Sequence, residues 1–269
     1  MPTPIFHENV VIITGASSGI GQQLAFQLAQ QGAWLALAAR DIQSLEAVAE
    51  ECRRRGGRAL AIPTDVTDKQ QCQNLVERTL AEYGRIDTLI NNAGVSMRAL
   101  FEQVEDLDLF EKIMRVNYFG SVYCTYFALP HLKKTRGRIG VLGSLTSKTG
   151  VPSRSGYAAS KHAVEGFFDS LRIELADCGV TVTVAYPDYV ATDARQRALG
   201  VNGQPIGTSP LDEEKVMTAE TCAGMIINAL ERRQRADNQT LRAKLIPWAK
   251  LIVPGLMDKL AQKAVHTDK

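Results

Sequence analysis

A β-branched run that breaks into glycine constrains this chain more than any other feature. Val10-Val11-Ile12-Ile13-Thr14 reads as a strand buried on both faces. The turn Gly15-Ala16-Ser17-Ser18-Gly19-Ile20-Gly21 follows, then a helical stretch with Ile20, Leu24 and Leu28 four apart, stopped by Gly32. Glycines let a backbone turn sharply and approach a pyrophosphate, while the free amides of a starting helix face its negative charge. Three glycines alone make only a turn. Between the first strand and first helix of a βαβ unit, they point to dinucleotide binding by Gly15, Ser17, Ser18, Gly19, Ile20 and Gly21.

The alternation continues along the chain. Strands are predicted at Trp34–Ala39, 58–62, 86–90, Arg138–Leu142 and 180–185. Helices are predicted from the Asp41 cap to Arg55, at 68–83, over most of 102–132, and at 155–176. Such alternation predicts one doubly wound α/β Rossmann-type domain, its parallel sheet flanked by helices on both faces. The domain is expected to span 1–235. Within it, the Gly-, Pro- and Ser-rich segment 187–218 follows a strand end, where ligands bind, and reads as a substrate lid over 188–218. Residues 236–269 are expected to be an extension packed on the domain.

Composition narrows the function. The 269 residues are 45% apolar and 22% charged with net charge +2, which is globular and lacks the basic excess of a nucleic-acid-binding surface. No stretch approaches ~18 uninterrupted apolar residues, and the start lacks signal-peptide character, so a cytoplasmic protein is expected. Five scattered cysteines without a CxxC pair fit free thiols rather than disulfides or a zinc site, with Cys124 and Cys222 in the core. No metal is expected. The charge is uneven: residues 231–269 are net +5 and the remainder net −3. That tail, apolar and basic around Trp248, is expected to cover the substrate entrance, join a subunit interface or weakly touch a membrane surface.

Several residues carry chemistry. The second strand ends Ala38-Ala39-Arg40, where an acid would hold the ribose 2′-hydroxyl of NAD and an arginine suits a 2′-phosphate. NADP(H) is therefore expected in preference to NAD. Asn91-Asn92-Ala93-Gly94 follows an apolar strand, placing small residues and amides where a cofactor ribose lies, or forming only a turn. Tyr157 and Lys161 are four apart near a helix start and share a face. A free phenol titrates near ~10; a neighbouring ammonium and an oxidised nicotinamide both favour phenolate. Tyr157 is thus placed to exchange a proton with a carbinol or carbonyl oxygen, which Ser144 is placed to hydrogen-bond. Asn117 is placed to hold a water leading from Lys161 to bulk. Each of these residues alone would be unremarkable; the set in this order is not.

The set resembles the short-chain dehydrogenase/reductase family over about residues 8–230. Thr14–Gly21 is similar to its TGxxxGxG turn and 91–94 to its NNAG. Asn117, Ser144 and Tyr157-x-x-x-Lys161 follow in its order, and Pro187…Val190-Ala191-Thr192 matches its PGxxxT. The resemblance implies about seven parallel strands and hydride exchange between nicotinamide C4 and a carbinol carbon, with Tyr157 as acid/base. Lys161 would also bind the nicotinamide ribose. Asp65 and Val66 would sit at the adenine, and Val190 and Thr192 at the carboxamide. Asp188 stands where the family has glycine, and Gly143 where a second serine is common. The stretch around Tyr157 is most similar to hydroxysteroid and retinoid-type reductases. Homodimers or homotetramers packed through 102–132 and 155–176 are implied, with Phe167 and Phe168 fitting either that interface or the core. Tyr189, Leu199, Val201, Ile206, Met217 and Trp248 are expected to line an apolar substrate site. The alternative is a catalytically silent dinucleotide sensor or scaffold.

Overall fold

The computed structural model describes residues 3–208 and 216–266; residues 209–215 of the expected lid lie outside them, as do the two ends of the chain. The first half alternates without exception: β1 Val10–Thr14, α1 Gly19–Gln30, β2 Trp34–Ala39, α2 Ile42–Arg54, β3 Arg58–Pro63, α3 Lys69–Tyr83 and β4 Thr88–Asn91. The second half adds α4 Asp108–Met114, α5 Gly120–Thr135, β5 Arg138–Leu142, α6 Ser155–Glu174 and β6 Thr181–Tyr186. A two-residue pair, β7 Val190–Ala191 and β8 Met217–Thr218, brackets the lid. Then come α7 Ala219–Glu231, β9 Ala236–Asn238, α8 Leu241–Ile252 and α9 Pro254–His266.

Seven strands form one parallel sheet in the order β3-β2-β1-β4-β5-β6-β9. Strand alternation splits the core between its faces. Val11 and Ile13 pack with Leu24 and Leu28 of α1, Leu45 of α2 and Ile226 of α7. Ile12 packs on the other face with Leu75 of α3, Leu132 of α5 and Phe168 of α6. The chain runs outward from β1 to β3 and returns to β4, so a crevice opens at the C-terminal ends of β1 and β4.

One expectation changes. The boundary after residue 235 cuts the sheet, because β9 pairs with β6 through Val184–Ala236 to Tyr186–Asn238. Of the extension, Ala243 and Ile246 of α8 are buried in the core, whereas Leu251, Ile252 and Leu260 stand exposed. Most of 102–132 is helical as expected, with a π-turn, Arg115–Phe119, joining α4 to α5. Phe168 is fully buried beneath α6, the core placement of the two that its position allowed.

Candidate active site

The crevice is knitted by Thr14 and Asn92. Thr14 Oγ1 accepts from the Asn92 and Ala93 amides at 3.0 and 3.1 Å. Asn92 Nδ2 donates to the Thr14 and Gly15 carbonyls at 2.8 and 3.0 Å. The β1–α1 turn and the turn after β4 are therefore one unit. This is why Gly15 has no side chain: at φ +66° its Cβ would lie 2.8 Å from Ala93 Cα. A Cβ on Gly21 would overlap the Gly15 carbonyl oxygen and Asn92 Nδ2.

Along the turn, Ser17, Ser18 and Gly19 are half-buried, and Ile20 packs on the α1-side core. Ser18 is the N-cap of α1, yet no side chain caps this helix and its first turn holds no acid. The amides at that end remain open to an anion.

Asn91 corrects the sequence reading. Its side chain is buried and donates to Thr125 Oγ1 of α5 at 2.9 Å, facing away from the crevice. Adjacent strand residues point oppositely, so the edge-facing asparagine is Asn92, which sequence reasoning left out of the site. Ala93 is half-buried, and Gly94 is exposed beside Lys161, its Cβ position 3.8 Å from Nζ.

Asn117 lies on the π-turn. The π-turn carries it inward, where Oδ1 accepts from the Val95 amide at 2.8 Å and Nδ2 donates to the Val95 carbonyl and Ser160 Oγ, both at 2.9 Å. Its amide holds the segment after β4, while Oδ1, with one of its two lone pairs used, faces the Gly94 side of the crevice. The Asn117 carbonyl accepts from Ser121 Oγ at 2.8 Å.

Lys161 and Tyr157 lie on α6 as the i, i+4 spacing requires. Lys161 is buried; its Nζ donates to the Leu142 carbonyl at 2.5 Å and lies 5.7 Å from the Tyr157 ring centroid. Leu142 ends β5, two residues before Ser144, so one bond ties α6 to the strand end that carries the serine. Ser144 caps the short turn Leu145–Ser147, its Oγ accepting from the Thr146 amide at 3.2 Å, and that turn packs on α6. Tyr157 is half-buried against Met97, Leu109 and Ile113, with Leu199 and Val201 of the lid in the same cluster.

On the adenine side, Arg40 is exposed at the end of β2. Asp41 caps α2: Oδ1 accepts from the Gln43 and Ser44 amides, and Oδ2 accepts from Ser44 Oγ at 2.5 Å. The Ser44 hydroxyl and amide hold its carboxyl below the usual range. Asp65 Oδ1 takes the Thr67 amide and hydroxyl at 2.9 and 2.8 Å. Val66 is buried against Gly120, so its side chain serves the core.

At the lid root, Pro187 and Val190 are buried, and Thr192 meets the turn: a Cβ on Gly19 would lie 3.3 Å from Thr192 Cγ2. Of the expected apolar lining, Leu199 and Val201 belong to the same apolar cluster as Tyr157. Met217 instead packs on the α1-side core, and Trp248 stands exposed on α8, beside Lys148, Arg235 and Lys244.

Residues 9–200 match the family model described as short chain dehydrogenase. The chain is 36% identical over 256 residues to the 11-beta-hydroxysteroid dehydrogenase A of Sesamum indicum, covering 93% of this chain and 73% of that protein. It is 36% identical over 265 residues to the 11-beta-hydroxysteroid dehydrogenase 1A of Arabidopsis thaliana, covering 94% and 76%. A third relative, 11-beta-hydroxysteroid dehydrogenase-like 2 of Arabidopsis thaliana, is 43% identical over 185 residues, 68% of this chain and 60% of its own length. A seven-stranded parallel sheet with a glycine turn at its switch point underlies these matches, and the chain belongs to the short-chain dehydrogenase/reductase family of oxidoreductases.

Proposed function

We propose that the protein is an NADP(H)-dependent oxidoreductase interconverting a carbonyl and a secondary alcohol on a hydrophobic small molecule, with Tyr157 as acid/base. The bound nicotinamide would supply or accept the hydride. The observation that carries this reading is the Lys161 ammonium, buried, held by the Leu142 carbonyl and facing the Tyr157 ring. A buried cation beside a phenol favours the charge that develops on Tyr157 when its proton moves to the substrate oxygen. Ser144 would hold that oxygen. Lys161, beside exposed Gly94, would also reach the nicotinamide ribose.

The residues fit such a cofactor. The open amides of α1 suit a diphosphate, and the Gly15–Ala93 approach leaves the crevice floor as bare backbone. Preference for NADP rests on Arg40 and Asp41 together. The only carboxylate at the end of β2 is committed to α2, leaving the exposed guanidinium to meet a 2′-phosphate. The apolar wall of Met97, Leu199 and Val201 around Tyr157 supports a hydrophobic substrate, and the relatives' names point towards steroid-like carbonyls.

The test is a carbonyl and alcohol panel followed by NADPH and NADH absorbance, with Tyr157→Phe alongside. Turnover lost in Tyr157→Phe with NADPH binding retained is expected. Full activity in that variant removes Tyr157 from the chemistry, and no turnover of any compound favours the silent sensor or scaffold.

We further propose a homo-oligomer packed through 102–132 and 155–176 and, separately, a weak membrane-surface contact through α8 and α9. Leu245, Trp248, Leu251, Ile252 and Leu256 are exposed there together with Lys244, Lys250 and Lys259. Among the described residues no helix is long and apolar enough to cross a membrane. Leu251→Glu/Ile252→Glu should lose co-sedimentation with anionic vesicles while β9 stays in place; unchanged sedimentation would remove the contact.

A further inference from the structure

Tyr157, Lys161 and Glu165 stand on one face of α6 at successive turns. Lys161 holds the chain just before Ser144, through the Leu142 carbonyl. Glu165 holds it just after. Its Oε1 takes the ammonium of Lys148, the residue that closes the turn Leu145–Ser147. Within that turn the Ser147 amide and hydroxyl donate to the Ser144 carbonyl at 3.0 and 2.6 Å, and the Lys148 amide donates to the Leu145 carbonyl at 3.0 Å. Ser144 is thus clamped between two ties to the helix that carries Tyr157. The second tie is shielded from water, with 25% of the Lys148 side chain and 13% of the Glu165 side chain exposed. A third segment joins it. Tyr186, at the end of β6, donates its hydroxyl to the same Glu165 oxygen at 3.3 Å, and its ring centroid lies 4.5 Å from the Lys148 ammonium. Burial pushes the Tyr186 phenol up to about 12, so it stays protonated and remains a donor. Pro187, where the lid segment begins, follows it directly.

We propose that Lys148 and Glu165 are positioning residues for the reaction, their ion pair fixing Ser144 Oγ relative to the Tyr157 hydroxyl. This rests on the oxidoreductase reading above. Both hydroxyls must reach one substrate oxygen, yet Ser144 follows a strand and Tyr157 rides a helix, so their geometry depends on what joins the two. A single tie at Leu142 would leave the turn after Ser144 free to pivot; the second tie, six residues further on, stops it. Glu165 Oε2 is buried without a hydrogen-bond partner among the described residues, so the hydrogen bonding of this carboxylate falls on Oε1, shared by Lys148 and Tyr186. An ion pair removed from water adds little net stability over an apolar pair of similar size. What this one fixes is where the Ser144 turn and the root of the lid sit on α6.

A double-mutant cycle tests it: kcat, KM and NADPH affinity are measured for the full-length protein, Lys148→Met, Ser144→Ala and the two combined. Lys148→Met should lower kcat by about tenfold, as a small misplacement of a reacting group can, and leave NADPH affinity unchanged. In the Ser144→Ala background the same substitution should lower kcat no further, because the pair acts through Ser144. Lys148→Arg, which keeps the charge, should restore most of the rate. Equal losses in both backgrounds overturn the proposal, since the pair would then be structural support alone, and so does an unchanged kcat in Lys148→Met. If Lys148→Met does not fold, Lys148→Met/Glu165→Leu, which leaves no lone buried charge, takes its place with the same expectations. Amide hydrogen exchange reads the clamp without turnover: residues 145–148 should exchange faster in Lys148→Met while β5 is unchanged, and equal exchange overturns the proposal. If the unmodified protein turns over no carbonyl or alcohol, the oxidoreductase reading has failed, an outcome that the exchange measurement separates from failure of the clamp.

Discussion

Lys161 Nζ lies 2.5 Å from the carbonyl oxygen of Leu142, so the residue facing Tyr157 is also the peg joining α6 to the end of β5. A structural contact and the proposed chemical role fall on one ammonium. Lys161→Met should therefore fail twice. It leaves the Leu142 carbonyl without its partner, at a cost of about 1–3 kcal/mol in urea unfolding. It also removes the cation beside the phenol, with kcat falling by about 100-fold or more. A variant that loses stability alone would show that the ammonium plays no part in the proton step.

Two glycines predict opposite outcomes for the same substitution. Gly21→Ala drives a Cβ into the Gly15 carbonyl and Asn92 side chain, both held in place by the β1–β4 knot. It should cost about 1–3 kcal/mol or more and lower cofactor affinity with it. Gly166 sits inside α6 with nothing near its Cβ position, and Gly166→Ala should stabilise by about 0.5–1 kcal/mol. Thermal melts of the two side by side check both signs.

Arg40→Ala should raise the KM for NADPH by about tenfold while leaving that for NADH nearly unchanged, because only NADPH carries the 2′-phosphate. Equal effects on the two cofactors would detach Arg40 from the preference.

Asp237, on the edge strand β9, has its carboxyl raised above the ordinary 3.8 by burial, opposed by the Gln239 amide that donates to Oδ2 at 2.7 Å. A raised carboxyl holds its proton longer folded than unfolded. Its contribution is therefore complete below 3.8 and is lost as pH rises through the folded value. Asp237→Asn should be more stable than the unmodified protein at pH 7 and should lose that advantage as the pH falls below 4 or so. Urea midpoints at pH 7 and at low pH read the difference directly.

Strand and helix periods, caps and glycine turns are local, and they were legible without coordinates. The β-branched run of β1, the Asp41 cap and the spacing of Tyr157 and Lys161 each depend on near neighbours in the chain. The order of these elements was enough for the doubly wound sheet and for the family. What the neighbours do not encode is which way a residue faces and what distant group it meets. Asn91 and Asn92 are adjacent and alike, yet strand parity sends one into α5 and the other across to Gly15. Asn117 sits in a helical stretch by pattern, and only the π-turn decides that its amide meets Val95 and Ser160. Trp248 suited a substrate wall by type but stands exposed on α8, and β9 joined the sheet from beyond the expected boundary. The sequence by itself determined the elements, their succession and the residue types available at the sheet edge. Only the tertiary structure decided their partners, such as Lys161 with Leu142 or Arg197 with Ser18, because those bonds depend on packing that brings remote segments to a single point.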